Sequence, residues 1–342
     1  MCAGGGEKHG LIGIRKSHKS RAFGTLIAGG ALLLVVPLLP GSASAQAWLP
    51  DKGEFNTSFV ISDVLNKQHY LPNGDLTGED GRPDPGHTRS TTYAFLASYG
   101  ITDRVTVSGS LPYVETKFWG PPSHGGAPGL HADDGDTHGF LTDLRINLHY
   151  QLLEDPVALA PFIGYVIPTN NNYYTQGHAA QGRGLEELLV GFGLGKNLDP
   201  WIPRTYAQMK YTYGFVEKVL DMKHDRENLS LEIGTFITPR WNLAAYGWWQ
   251  WAHGGIDVPL PPTDPNFAEL FPVHDVLAAD EFFNIGLGTS WALTPTTTIF
   301  ATYMEGVRGK NGHKVNQGVT FGLSYGFRPR AEAVGVADIE RK

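Results

Sequence analysis

From about residue 54 to residue 327, apolar side chains recur at every second position in one segment after another. The last segment is the clearest. Val319, Phe321, Leu323, Tyr325 and Phe327 alternate with Thr320, Gly322, Ser324 and Gly326. Leu144, Ile146, Leu148, Tyr150 and Leu152 alternate in the same way with Asp143, Arg145, Asn147, His149 and Gln151. Leu229, Leu231, Ile233, Thr235 and Ile237 alternate with Ser230, Glu232, Gly234 and Phe236. A helix repeats about every 3.6 residues and would mix these sets, whereas a strand sends successive side chains to opposite faces. Twelve such segments begin near Glu54, Ser90, Arg104, Phe140, Pro156, Glu187, Arg204, Glu227, Trp241, Glu281, Thr297 and Val315. An even number of strands brings both chain ends to the same rim of a closed barrel.

The connections alternate too. After the second, fourth, eighth and tenth segments the chain reverses within a few residues, at 101–104, 153–156, 238–241 and 294–297. Thr102-Asp103, Thr238-Pro239 and Thr294-Pro295 suit type I turns. The intervening loops, at 66–88, 117–138, 168–184 and 252–280, are long and rich in Gly, Pro, Asp, Asn and His, with shorter ones at 218–226 and 308–314. Short turns on one side and long loops on the other are the asymmetry of outer-membrane barrels, and a compact soluble domain seldom tolerates so many long structureless loops. The pattern predicts an all-β fold: a transmembrane, antiparallel, up-and-down barrel of about twelve strands. Aromatic residues near segment ends, among them Tyr99, Phe118, Trp119, Trp241, Trp248, Trp249, Tyr325 and Phe327, are expected to form two interfacial girdles.

The N-terminus supports export. Arg15, Lys16, Lys19 and Arg21 precede an apolar stretch from about Thr25 to Leu39, and Ala43-Ser44-Ala45 follows. Basic, apolar and small residues in that order form a cleavable secretory signal. The expected division is a signal at 1–45, a barrel at 46–327 and a disordered periplasmic tail at 328–342, with the outer membrane of a Gram-negative bacterium as destination. Residues 1–45 hold five of the 27 Lys/Arg and one of the 34 Asp/Glu, so the remainder carries 22 and 33, a formal charge of −11. That balance argues against a nucleic-acid partner. The single cysteine, Cys2, lies in the signal, which leaves no disulfide for the mature chain.

Some short motifs carry a resemblance. Tyr99-Gly100-Ile101-Thr102-Asp103-Arg104-Val105-Thr106-Val107, running on to Leu111-Pro112-Tyr113-Val114, resembles the second hairpin of a bacterial outer-membrane "transporter" family associated with meta-pathway phenol degradation. That family's Gly-Asp-Leu motif, on a strand ending Lys-Tyr, is echoed at residues 142–150, with Thr142 for Gly and His149 for Lys. Its Pro-Thr-Gly is echoed by Pro168-Thr169-Asn170. The resemblance spans about residues 50–327. It implies a barrel that passes small hydrophobic or aromatic compounds and names no substrate.

A barrel of about twelve strands leaves a modest lumen, so inward polar groups matter. The candidates are Asp143, Arg145, Asn147, His149, Gln151, Gln208, Lys210, Glu232, Gln250, Asn284 and Glu305. They either line a selective path or pair off and plug the interior, because unpaired buried charge is costly. The loop histidines, His69, His87, His124, His131, His138, His178 and His253, match no metal-ligand spacing, and Asp133-Asp134-Gly135-Asp136 lacks the closing Glu of a calcium loop. No cofactor or metal is therefore expected. No G-x-S-x-G is present, and Ser110 and Ser290 have no evident histidine partner, so no catalytic residue is assigned. The expected function is passive passage of small hydrophobic or aromatic compounds. A surface-interaction barrel acting through its loops is the alternative, and a membrane-embedded hydrolase is the third. The expected partners are outer-membrane lipid, the permeating solute and, through the terminal aromatics Tyr325 and Phe327, the barrel-assembly machinery.

Overall fold

The computed structural model describes residues 47–78, 86–120, 133–169, 182–260 and 263–327. The signal read at 1–45 and the tail read at 328–342 lie outside them, as do His124, His131 and His178. Thirteen strands follow one another: β1 (Phe55–Tyr70), β2 (His87–Gly100), β3 (Val105–Trp119), β4 (Thr137–Leu141), β5 (Leu144–Tyr150), β6 (Ala158–Ile167), β7 (Glu187–Asn197), β8 (Thr205–Val216), β9 (His224–Thr238), β10 (Trp241–Gly254), β11 (Glu281–Ala292), β12 (Thr297–Lys310) and β13 (Gly312–Phe327). Each expected start falls within three residues of an observed one. Neighbours in sequence pair antiparallel, and β1 closes on β13 from Phe55 opposite Phe327 to Tyr70 opposite Gly312. The result is a closed up-and-down barrel.

The extra strand comes from one bulge. Both β4 and β5 pair with β3, with Tyr113 opposite Leu141 and Ser110 opposite Arg145. Three residues, 142–144, thus face Leu111 and Pro112. Pro112 has no N–H to donate, so the ladder must break there. Its carbonyl instead accepts from the Thr142 N–H at 3.0 Å. Counted around the wall, β4 and β5 are one strand, and the barrel has twelve.

The faces sort as the alternation predicts. Phe59, Phe95, Ile163, Leu287 and Phe321 stand 49–67% exposed on the outside, a surface suited to lipid and not to water. Outward rings mark two levels. Tyr99, Tyr150, Trp291, Tyr325 and Phe327 lie at the rim of short turns, and Tyr113, Tyr165, Phe215 and Tyr303 lie toward the other rim. Phe118 and Trp248, expected in the girdles, turn inward and are buried. No helix among the described residues is long and apolar enough to cross a membrane; the strands do the crossing. β1 and β13 have 16 residues each, well beyond the 9–11 or so that span a bilayer. The wall therefore rises above the lipid on the loop side. The loop expected at 308–314 is accordingly reduced to Asn311, whose φ of 52° makes the hairpin turn.

Four inward rings share one device. Phe162, Phe300 and Tyr206 each face a glycine directly across the ladder, Gly191, Gly322 and Gly234 respectively. Tyr246 packs against Gly288 of the neighbouring strand. A Cβ at any of these glycines would collide with the ring. The missing side chain lets the ring lie along the wall instead of projecting into the lumen.

Candidate functional site: the lumen and its two mouths

The lumen has two unlike walls. Along β12, β13, β1, β2 and β3 the inward groups are small or apolar. Hydroxyls pair across the ladders, Ser58 with Ser324 at 3.0 Å, Ser62 with Thr320 at 2.9 Å and Ser90 with Thr116 at 3.1 Å. Between them sit two apolar clusters, Val60, Ala94 and Phe300, and Val64, Met304 and Val315.

The charged and strongly polar inward groups concentrate between β5 and β11, although β6 and most of β7 turn in Ala160, Phe162, Val166, Leu189 and glycines. Arg145, Asn147, His149 and Gln151 share the inner face of β5, as the period of two requires. Gln208 and Lys210 face in from β8, Glu232 from β9, Gln250 from β10 and Asn284 from β11. Asp143 sits at the bulge, out of the regular alternation, and its Oδ2 accepts from the Arg183 N–H at 3.0 Å. Glu305 corrects the expectation. It pairs with Ile285 on the outer face between Tyr303 and Val307 and is exposed. There β12 has left the lipid band, so a polar residue no longer has to face inward.

Several of these groups are held by hydrogen bonds and ion pairs across the lumen wall. The Tyr206 hydroxyl and Gln208 Nε2 donate to the two oxygens of Glu232, at 2.5 and 2.8 Å. Arg226 pairs with Asp280, which also accepts from Gln250 Nε2 at 2.9 Å. Arg183 pairs with Glu187 at 3.3 Å, with both side chains almost fully buried. Sequence reading did not single out Arg183, Glu187, Arg226 or Asp280. They lie at strand ends and in loops, where alternation gives no facing.

One contact bears on the hydrolase reading. His149 Nε2 lies 3.0 Å from Ser108 Oγ, a pairing between neighbouring strands. A serine nucleophile needs its histidine held by a third group on the other ring nitrogen. Here Nδ1 is buried with no hydrogen-bond partner among the described residues, and no such relay forms. Nor do three or more His, Cys, Asp or Glu residues gather around a metal position among the described residues. Asp134 instead accepts from the Asp136 N–H and bonds His138, both at 2.8 Å, which ties up its own loop.

Both mouths are crossed by chain. On the loop side, the connection between β10 and β11 folds into two short helices, α1 (Phe267–Leu270) and α2 (His274–Leu277). Their Leu270, Val276 and Leu277 pack on Leu185, Val216 and Val219 at the β7–β9 rim. The same connection is pinned to the β12–β13 tip, where Asn311 donates to Asp257 at 2.9 Å and accepts from the Val258 N–H at 3.1 Å. It therefore straps one side of the mouth to another. On the turn side, Gln151 donates to the Ala47 carbonyl at 3.0 Å and accepts from the Leu49 N–H at 3.1 Å. Trp48 meets Tyr206 edge to face. A few residues later Gly53 and Glu54 bond to Gly100 at the end of β2. Residues 47–54 thus run from the charged wall to the β1–β2 side.

Fold and lumen together define a closed twelve-stranded barrel of the outer-membrane type. The COG4313 outer-membrane channel from Pseudomonas putida F1 superposes with a TM-score of 0.59 at 13% identity, over 83% of this chain and 98% of that one. The NanC porin aligns at 0.43 with 10% identity over 78% and 98%, and the CymD monoaromatic hydrocarbon channel at 0.40 with 13% over 91% and 100%. The first likeness establishes the fold, and identities this low carry nothing finer. No family model and no curated protein matches the chain. The resemblance seen in the sequence thus holds at the level of an outer-membrane barrel fold, without the phenol-degradation name.

Proposed function

We propose that this barrel sits in the outer membrane of a Gram-negative bacterium and passes small hydrophobic or aromatic compounds by passive diffusion. The observation that carries the reading is the set of rings laid along the inner wall, Phe162, Phe300, Tyr206 and Tyr246, each seated against a glycine. A water-filled porin interior is polar. Rings laid along the wall, with the apolar clusters around Val60 and Val64 beside them, give the lumen an apolar lining, and seating each ring on a glycine keeps it from projecting into the path. Liposome swelling with a panel of phenol, benzyl alcohol and benzoate against a sugar of similar size tests the reading. Aromatic solutes are expected to enter faster than the sugar. Entry of none of them would overturn it.

A second reading, a surface-interaction barrel acting through its loops, draws on the strap over the loop-side mouth and the segment across the other. Planar-bilayer conductance of the wild type and of a variant lacking residues 47–50 separates the two. A channel gains conductance when that segment is removed, and a plugged scaffold stays silent in both forms.

A further inference from the structure

Among the described residues four cations face the lumen along the β5–β9 wall, Arg145, Arg183, Lys210 and Arg226, and the acids do not match them evenly. Toward the loop-side mouth, Arg226 has Asp280 and Arg183 has Glu187. Arg145 and Lys210 have no carboxylate within ion-pair distance among the described residues. Arg145 feels Glu187 and Asp143 only at longer range, since the first pairs with Arg183 and the second accepts from its backbone. For Lys210 the neighbouring charge is Arg145, and it repels. The remaining nearby acid, Glu232, is held by Tyr206 and Gln208.

Two cations that repel each other inside a protein need an anion or water to offset their desolvation. Both side chains keep part of their surface open to the barrel interior, in contrast to the closed pairs above them. Beside them is a ring platform. The Lys210 ammonium lies 4.9 Å from the centre of Phe162, and the His149 ring lies 5.2 Å from the same ring. Gly191, across the ladder from Phe162, is covered by that ring, whereas Gly193, across from Lys210, adds no side chain to that stretch of wall. The buried Nδ1 of His149, without a partner among the described residues, adds a free polar atom.

We propose that Lys210 and Arg145 form an anion subsite inside the lumen, which takes the carboxylate of a small aromatic acid with the acid's ring against Phe162. The subsite deepens the channel reading and rests on it for its physiological use. The paired arginines above it give an entering anion a graded path: at the mouth each positive charge is already neutralised, and deeper in it is not. Placing one carboxylate between Lys210 and Arg145 supplies the missing counter-charge through two charge-assisted contacts.

Equilibrium dialysis of radiolabelled benzoate against the full chain refolded in detergent tests this without requiring permeation, with benzamide as the neutral isostere. The wild type is expected to bind benzoate about tenfold or more tighter than benzamide, as the gain of hydrogen bonds to charged groups implies. Lys210→Met and Arg145→Met are each expected to lose about tenfold in benzoate affinity and to leave benzamide unchanged, and Lys210→Arg to retain binding. Heat-modifiable mobility on gels checks that each variant is folded; if one is not, the wild-type comparison decides. Equal binding of benzoate and benzamide to the wild type, or undiminished benzoate binding in both Met variants, overturns the subsite. Saturable benzoate binding without vesicle permeation keeps the subsite and removes the channel. Permeation of both solutes at equal rates, with no preference in dialysis, does the reverse.

Discussion

The two walls of the lumen solve the same packing problem with opposite chemistry. The wall from β12 round to β3 fills its interior with hydroxyl pairs and small apolar clusters, groups that satisfy themselves locally and project little. The wall from β5 to β10 carries long charged side chains that need partners, some of them distant, as Arg226 depends on Asp280, and some local, as Arg183 depends on Glu187 four residues on. Neutral hydroxyl pairs contribute little each and tolerate loss; buried ion pairs contribute little net but are expensive to break. The quiet wall suits a seam that must close reliably.

Substitutions can test that contrast, beginning with the largest effect. Arg226→Met leaves the Asp280 carboxylate buried without its cation and is expected to cost about 3–5 kcal/mol, read by guanidinium unfolding in lipid vesicles. Adding Asp280→Leu should recover much of the loss, because replacing both charges by apolar groups is often neutral. No recovery would mean that the pair does more than neutralise itself. Next come the matched glycines. Gly322→Ala drives a methyl into Phe300 on the quiet wall and is expected to cost about 1–3 kcal/mol. Gly234→Ala makes the same collision with Tyr206 and also displaces that hydroxyl from Glu232, so it should cost about 1.5–3 kcal/mol more. Equal costs would show that the hydrogen bond on the charged wall contributes nothing. Phe327→Asp puts a carboxylate on the lipid face near the interface, at a direct cost of about 1 kcal/mol or less. If the assembly machinery reads this terminal ring, the heat-modifiable fraction in cells should fall far more than that figure implies. Ser62→Ala is the smallest change, removing one of two paired hydroxyls, with about 1 kcal/mol expected in the same unfolding assay.

The barrel was legible because its strongest constraint is local. A strand with lipid on one side must alternate, so Val319 to Phe327 or Leu144 to Leu152 announces both conformation and facing. The facing fails where that constraint lapses. Glu305 stands above the lipid band, where the outer face is polar as well, and alternation says nothing there. Phe118 and Trp248 show the converse: an apolar residue fits inside a partly apolar lumen as well as outside it. The bulge at Pro112 was implicit in the proline's missing N–H, though its partner, Thr142, is thirty residues away. The candidates on β5 were legible as a group facing one way. Their partners were not, because the Ser108–His149 contact, the Arg226–Asp280 pair and the clamp of Gln151 on Ala47 join residues 41, 54 and 104 apart. No local period encodes such pairings.

The seam between β1 and β13 has a kinetic consequence. Phe55 and Phe327 stand opposite each other, so the first and last strands of the wall must meet before any circumference exists. Every other ladder can form between near neighbours in sequence, with modest loop-closure entropy. This one waits for the whole chain to be present, and until then two long strand edges carry open donors and acceptors that invite the wrong partner. Rapid folding of the hairpins would not shorten that wait. The vulnerable interval of this protein's life is set by its last sixteen residues of wall, β13, and on the lumen side a zipper of serines, a threonine and small apolar groups is what the chain brings to that final closure.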